Sequence, residues 1–380
     1  SNMETALQQA QREIAEQRFM SAMCKRTSSF RVEQVLGTGQ NGIVARVQCI
    51  EPGHSWPDNR YAMKVCFNFD LSTLEAQGAF VNEYRELVRL PSHHNIIRFL
   101  CEFFHEIDDS IRDHLPSHAR QESIIVNRDG SSRNRKTQFF VIEQVSMSLE
   151  RFLDERYAPP SIVPHRLVGL IMSQVASGLA HLERHLVAHR DIKLDNILVE
   201  LADEADGGNR EGARHDARTI KRCVIADFGT ACDLDPSLKS TMLVGNGGNV
   251  LSAPWGNQAH IAPELHTALK STIIAQRTSR EARAVELDYS RQAVFELGVI
   301  GFEIVTRDGP IAEYPSSVTN GATGEVRFSD DEIARIGAER LGADESSMLR
   351  RMVSCDPRRR PRLEEVIECF DRDREFTSSS

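Results

Sequence analysis

From Phe30 onward, apolar residues gather into short runs separated by polar breaks. Residues 30–36, 42–50 and 60–67 are rich in Val, Ile, Phe and Tyr, and GTGQNG and EPGHSWPDN interrupt them. That pattern predicts three strands joined by two turns. Residues 74–90 place apolar side chains at 80, 81, 84, 87, 88 and 90, the spacing of one helix face, and Pro91 closes the run. Two further strand-like runs, Ile96–Phe104 and Gln138–Val145, flank a polar stretch holding Asp108-Asp109, Asp129-Gly130 and Arg133–Lys136. That stretch reads as an insertion loop, its basic cluster a solvated face. After Val145 the pattern turns helical. Residues 165–186 form a long amphipathic segment, and 291–306 and 345–354 read as further helices.

Residues 201–219 (LADEADGGNREGARHDART) are polar and glycine-rich, a surface loop or disordered segment. Residues 3–23 contain strong helix formers without Gly or Pro, but only Leu7, Ile14, Phe19, Met20 and Met23 are apolar. They predict a peripheral helix that docks on the body, with Lys25–Ser29 as a short linker. No internal repeat is visible. A strand-rich region with one helix, followed by a helix-rich region, predicts two lobes of different class with a cleft between them.

Composition narrows the function classes. The 380 residues are 40% hydrophobic and 27% charged, a globular balance that excludes a wholly disordered, collagen-like or rod-like chain. With 55 acidic and 46 basic residues the net charge is −9, which argues against general nucleic-acid binding. Eight cysteines show no CxxC and no zinc-finger spacing, so they read as thiols of an intracellular, reducing (cytoplasmic) protein. No apolar run reaches the ~20 residues of a membrane span. Leu297–Val305, the longest candidate, is interrupted by Glu303 and reads as a core helix. Ser1-Asn2 before Met3 has the look of a protease-cleavage scar, so a native targeting segment could have been removed.

Five segments carry chemistry. Gly37-Thr38-Gly39-Gln40-Asn41-Gly42, followed by Val44, suits close backbone approach to phosphate, although an ordinary hairpin turn explains the glycines more simply when the segment is read alone. Lys64, between Met63 and Val65, projects an ammonium from the third strand, either as a snorkelling surface lysine or toward a partner such as Glu83 or Glu86. His189-Arg190-Asp191-Ile192-Lys193-Leu194-Asp195-Asn196 packs opposite charges and an amide between a helix and the apolar strand 197–199. Asp227-Phe228-Gly229 sets a carboxylate at a strand end on a glycine, a fit for Mg²⁺. Ala262-Pro263-Glu264 completes the set, with Arg360 as a candidate partner for Glu264.

The order of these segments is the protein-kinase signature, and residues 30–372 resemble a eukaryotic-type protein kinase of the Ser/Thr kind. The resemblance implies an α+β, two-lobed fold. The small lobe, residues 30–145 including the hinge, carries an antiparallel sheet and one main helix. The larger helical lobe spans 146–372 with an insertion at 201–219. Residues 1–29 precede the lobes and 373–380 form a tail. It further implies ATP and Mg²⁺ as cofactors and a Ser/Thr-containing protein as substrate, with no nucleic acid and no membrane span; oligomeric state is left open.

By the same resemblance Gly37, Gly39 and Gly42 cover the phosphates, and Lys64, oriented by Glu83, holds two of them. Asp191 takes the proton of the substrate hydroxyl, Lys193 neutralises the γ-phosphate, and Asn196 and Asp227 bind the metal. Val44, Ala62 and Leu198 sandwich the adenine; Ile142 stands near the gatekeeper, with Glu143 and Val145 offering backbone hydrogen bonds, in a register that could shift by one residue. Arg190 implies control by phosphorylation of the segment from Asp227 to Glu264, with Ser237, Ser240, Thr241 and Ser252 as candidates.

The sequence departs from the family pattern in three places. Ala293 stands where an aspartate usually braces the catalytic loop, Asn257 where Ser/Thr kinases usually carry threonine, and residues 201–219 lengthen the path from Asn196 to Asp227. GGN before the APE segment and VIADFG are similar to stretches of the mitochondrial ubiquitin kinase mutated in parkinsonism, whose substrate is not carried over. Two other classes stay in view. A pseudokinase or ATP-binding scaffold would keep the fold without turnover, and Ala293 is its main support. A small-molecule kinase fits the Glu264–Arg360 pattern poorly.

Overall fold

Along β2 (Gly42–Cys49) the side chains of Ile43, Ala45, Val47 and Cys49 are buried while Val44, Arg46 and Gln48 are half-buried. This period of two is what a strand with one face on a core produces. The computed structural model describes residues 2–39, 42–56, 59–67, 87–127, 129–202, 220–244, 260–276, 283–307 and 341–371. The chain divides into two units, one of Ser1–Gln77 with Ile97–Val145 and one of Gly78–Ile96 with Ser146–Ser380.

The first unit is built on a five-stranded antiparallel sheet. Its strands are β1 (Phe30–Thr38), β2, β3 (Arg60–Cys66), β4 (Phe99–Glu106) and β7 (Lys136–Glu143), in the order β1-β2-β3-β7-β4. Met63, Val65, Leu100, Phe103, Phe139 and Val141 fill its core. Helix α1 (Asn2–Met23) adds Met20, fully buried, and packs Phe19 against the same core, and several polar contacts tie it to the sheet. Gln17 Nε2 donates to Phe99 O (3.1 Å) and Ser21 Oγ to Leu100 O (2.9 Å). Buried Glu16 pairs with Arg98 (2.6 Å) and accepts from the Tyr61 hydroxyl (2.7 Å). Three of the apolar positions expected to dock this helix, Leu7, Ile14 and Met23, are exposed instead. The expected linker is a single 3-10 turn, Thr27–Ser29, in which Thr27 is buried against His105.

The stretch read as an insertion loop is ordered. It holds α2 (Asp109–Arg112), α3 (Ser117–Glu122) and the β5–β6 hairpin (Ile124–Val126 with Ser132–Asn134). Asp108 caps α2 by accepting from Ile111 N, and the Arg112 guanidinium ties the turn to Ile107 O (3.0 Å) and to Asn134. Ile107, Ile111, Leu115 and Ala119 are buried, an apolar stripe that the surrounding polar residues hid.

In the second unit, α4 (Leu149–Arg156) and α5 (His165–Arg184) precede the HRDIKLDN segment. The strands there are β8 (Met147–Ser148), β9 (Val187–Ala188), β10 (Ile197–Leu201), β11 (Ile220–Ile225) and β12 (Cys232–Asp233). They form a β11-β10-β8 sheet and a β12-β9 pair. A third piece was not foreseen. β13 (Lys239–Val244) pairs antiparallel with β14 (Arg283–Asp288), and the ribbon packs Met242, Val244 and Leu287 against α6 (Pro263–Gln276). Among the described residues, helices α7 (Gln292–Thr306), α8 (Ala343–Met352) and α9 (Leu363–Asp371) follow. A Cβ at Gly301 would come within 2.5 Å of Leu349, so glycine lets α7 and α8 approach closely. Most of the helix expected at 74–90 lies outside the described residues, and Ile96, expected to open β4, instead bridges Ile225.

Among the described residues no disulfide forms, and no helix is long and apolar enough to cross a membrane.

Candidate active site

The glycine turn, read alone, was compatible with any hairpin. In the first unit β1 ends at Thr38, Gly39 N donates to Gly42 O (2.9 Å), and β2 starts at Gly42. A Cβ on Gly42 would lie 2.5 Å from the Val65 carbonyl oxygen, so backbone packing against β3 requires glycine here. At Gly37 an added Cβ meets nothing within 4 Å, so packing among the described residues does not demand glycine there. Lys64 pairs across the sheet with Val44 on one side and Phe140 on the other, while Ala62 lies opposite Arg46 and Ile142. Glu143 N donates to Arg98 O (3.0 Å), and Val145 is buried just beyond the strand. Glu83 lies outside the described residues, as do Ser252 and Asn257.

In the second unit β9, a 3-10 turn (Leu194–Asn196) and β10 fold the HRDIKLDN segment back on itself. His189 organises it. Its Nε2–H donates to Ala226 O (3.0 Å) and its Nδ1 accepts from Asp191 N (3.3 Å), a pattern that fits one neutral tautomer. Burial lowers its pKa, which keeps that tautomer at neutral pH. The ring also meets Phe228 edge-on at 4.9 Å.

Asp191 Oδ2 collects two donors, Lys193 Nζ (3.0 Å) and Asn196 Nδ2 (2.8 Å). Asn196 Nδ2 also donates to Asp191 O (2.8 Å), so the amide nitrogen is fully engaged and its oxygen faces away from these partners. Among the described residues no donor reaches Asp191 Oδ1. Asn196 O accepts from Ala226 N (2.9 Å), which ties this cluster to the strand leading into Asp227. Asp227 adopts a left-handed backbone (φ 63°) at the end of β11, and its Oδ1 accepts weakly from Gly229 N (3.4 Å). A non-glycine residue in this region is held there by its surroundings. Leu198, on β10, is half-buried opposite Val224.

Arg190 is buried, also with a left-handed backbone (φ 68°), and its Nε donates to Thr230 O (2.5 Å). Ser240 and Thr241 lie on β13; Thr241 is exposed opposite Glu286, and Ser240 is half-buried opposite Leu287. Glu264 and Arg360 form the expected pair, with Nη1–Oε1 at 2.6 Å and Nη2–Oε2 at 2.8 Å.

Three contributors were missed by sequence reading. His260 Nδ1–H donates to Ile192 O (2.7 Å) and its Nε2–H to Glu303 Oε1 (3.0 Å). Burial pulls its pKa down, but the Glu303 carboxylate and the Ile192 carbonyl outweigh that and raise it. Gln292 accepts from Ala262 N (2.8 Å) and donates to His260 O (3.2 Å). Glu296 lies buried beneath the same loop. The available signal was the pair of acidic residues, 296 and 303, on one face of an otherwise apolar helix.

The oxygen set fits Mg²⁺, a hard cation that takes one or two protein oxygens and fills its shell from phosphate and water. Asn196 offers its amide oxygen and Asp227 its carboxylate. Among the described residues no group of three or more His, Cys, Asp or Glu side chains could hold a metal alone.

Comparison with known proteins agrees with this geometry. The protein kinase domain family matches residues 30–369. The human serine/threonine-protein kinase PINK1, mitochondrial, is 30% identical over 227 residues, 57% of this chain and 31% of that protein. The Tribolium castaneum protein of the same name is 26% identical over 315 residues, 72% of this chain and 46% of that one. The serine/threonine-protein kinase/endoribonuclease ireA of Aspergillus fumigatus is 25% identical over 232 residues, covering 58% and 19%. The chain spans less than half the length of each of these relatives.

Proposed function

This chain belongs to the protein kinase family, and from that premise we propose that it is an ATP-dependent protein kinase acting on Ser or Thr hydroxyls. The names of its relatives support the Ser/Thr class. The observation that carries the reading is the division of labour at Asp191. Oδ2 is occupied by Lys193 and Asn196, which fixes the carboxylate and leaves Oδ1 to meet a substrate hydroxyl.

As the hydroxyl oxygen bonds to the γ-phosphorus, its proton passes to Asp191 Oδ1, and the bond from phosphorus to the β,γ-bridging oxygen breaks to release ADP. Lys193, 3.0 Å from Asp191, can cancel charge on the transferred group. Lys64 holds the α- and β-phosphates, beneath the turn of Gly37, Gly39 and Gly42. Asn196 and Asp227 would hold Mg²⁺, which when bound neutralises phosphate charge. Val44, Ala62 and Leu198 are read as adenine contacts, with Ile142, Glu143 and Val145 as the hinge. Glu143 N–H already donates to Arg98 O (3.0 Å).

Regulation through the activation segment is part of the proposal. Thr241 is its exposed hydroxyl on β13, and Ser240, Ser252 and Arg190 stay in the candidate set. An intracellular, reducing compartment fits Cys24 and Cys49, whose buried thiols share a hydrogen bond at 3.7 Å and form no disulfide. A second reading, an ATP-binding scaffold, draws on Ala293, which lines a cavity beneath the catalytic loop.

Labelled-phosphate transfer from ATP to dephosphorylated casein, with and without Mg²⁺, separates the two. Transfer that needs Mg²⁺ and disappears in Asp191→Asn supports the kinase. ATP binding without transfer in the parent chain supports the scaffold.

A further inference from the structure

The first unit buries a group of sulfurs at the last turn of α1. Cys24 directly follows the helix, and its N–H donates to Met20 O (2.9 Å). Its thiol lies 3.6 Å from Met20 Sδ and 3.7 Å from the thiol of Cys49, at the end of β2. Cys24 is fully buried and Cys49 is 3% exposed. Cys101 belongs to the same core, but among the described residues no hydrogen bond joins it to either thiol.

A buried cysteine ordinarily serves as a small apolar side chain. Two features set this pair apart. A disulfide bond is about 2.05 Å long, so the sulfurs have about 1.7 Å to close, a distance that side-chain rotation covers. The contact is also polarised. Cys24 has one thiol proton to share between Met20 and Cys49. Turned toward Cys49, it lowers the pKa of that thiol against the opposing pull of burial, while the same bond and burial raise the pKa of Cys24. Cys49 is therefore the better source of thiolate, the reactive form. Nor is the pair sealed from solvent. Lys25 and Ile50, the residues next in the chain, are both exposed, and fraying of the last turn of α1 admits a small oxidant.

We propose that Cys24 and Cys49 are an oxidisable pair, and that hydrogen peroxide joins them in a disulfide that staples α1 to β2. The Cys49 thiolate attacks one peroxide oxygen. A sulfur–oxygen bond forms as the oxygen–oxygen bond breaks, and the departing hydroxide takes a proton to become water. Cys24 sulfur then attacks the Cys49 sulfenic sulfur. The sulfur–sulfur bond forms, the sulfur–oxygen bond breaks, and the hydroxide leaves with the Cys24 proton as a second water. Two thiols lose two electrons and one peroxide gains them. In a reducing compartment thiol–disulfide exchange restores both thiols, so the staple is reversible. The inference stands on the first unit alone and does not rest on the kinase reading.

The test treats the reduced full chain with hydrogen peroxide, blocks the remaining thiols with N-ethylmaleimide in denaturant, and maps unreduced peptides by mass spectrometry. The peptide pair holding Cys24 and Cys49 is expected to be the first linked species and to reach at least half of the chains. Amide hydrogen exchange across residues 16–24 is expected to slow at least tenfold on oxidation and to return to the starting rate with dithiothreitol, while residues 260–307 stay within twofold. In Cys24→Ser, dimedone is expected to capture Cys49 as its sulfenic acid; in Cys49→Ser, capture at Cys24 is expected to be at least threefold lower.

Oxidation of the half-buried Cys232 or Cys355 while Cys24 and Cys49 stay unlinked overturns the proposal. So does either thiol linking to Cys101 instead, or linkage of the pair that leaves exchange at 16–24 within twofold of the reduced chain. Equal dimedone capture in the two serine variants overturns the order of attack. The linkage itself is read on the parent chain, so a serine variant that fails to fold leaves the test intact.

Discussion

Arg360 is the side chain whose loss should be felt most widely in the second unit. Its side chain is fully buried, with Nε on Ser354 O (2.7 Å), Nη1 on Arg291 O (3.3 Å) and both Nη groups on Glu264. The guanidinium also lies 4.8 Å over the Phe295 ring. Arg360→Ala would orphan two partly buried carbonyls and one carboxylate. Breaking a buried ion pair costs about 3–5 kcal/mol. The Glu264 side chain is 28% exposed and can turn to water, which places the expected cost at the low end, about 3 kcal/mol. That is on the order of 100-fold in an opening equilibrium. The assay is native-state hydrogen exchange, compared across residues 260–307 in the second unit and 30–66 in the first. Protection should fall about 100-fold in the former and hold in the latter. Arg360→Lys keeps the charge but not the planar fork and should recover less than half of the loss. Protection within threefold of the parent in Arg360→Ala, or full recovery by lysine, would refute the reasoning.

Burial pushes the pKa of the Glu296 carboxyl up to about 8, which gives a pH signature. Because the folded chain binds this proton more tightly than the unfolded one, its contribution to stability falls as pH climbs from about 4.5 to about 8 and is level above that. The fall is at most about 5 kcal/mol, and Glu296→Gln should flatten it, so parallel pH curves for urea midpoints of parent and variant would exclude it. Gly42→Ala would drive a Cβ to 2.5 Å from Val65 O, an overpacking of backbone on backbone worth about 1–3 kcal/mol. It should also raise KM for ATP, since β2 and β3 carry Val44 and Lys64; a urea midpoint and KM equal to the parent's would contradict this.

Much of the site was legible because its chemistry is local. The HRDIKLDN segment and Asp227-Phe228-Gly229 each stand out within a few residues, Gly37–Gly42 gained meaning only from its order with them, and Arg360 was a candidate partner for Glu264. What escaped depends on pairings between distant residues. The β13–β14 ribbon joins residue 244 to residue 283, and neither strand alone alternates clearly enough to show its partner. Glu303 looked like an interruption of an apolar run because His260, which gives it a partner, lies 43 residues away. Helix α1 misled for a related reason. Of its apolar residues only Phe19 and Met20 pack on the core, and the rest of its grip on the sheet comes from Glu16, Gln17 and Ser21. Polar docking of this kind leaves no hydrophobic period to read.

That grip has a consequence for where the domain begins. β4 is an outermost strand of the first unit's sheet, the position from which unpaired backbone groups recruit other chains. Gln17 and Ser21 cover two of its carbonyls, and the Glu16–Arg98 pair pins the helix beside them. The family match starts at residue 30, after α1 has ended. A chain trimmed to that match would keep every proposed catalytic residue and lose the guard on its sheet, so it should aggregate where the longer chain stays monodisperse.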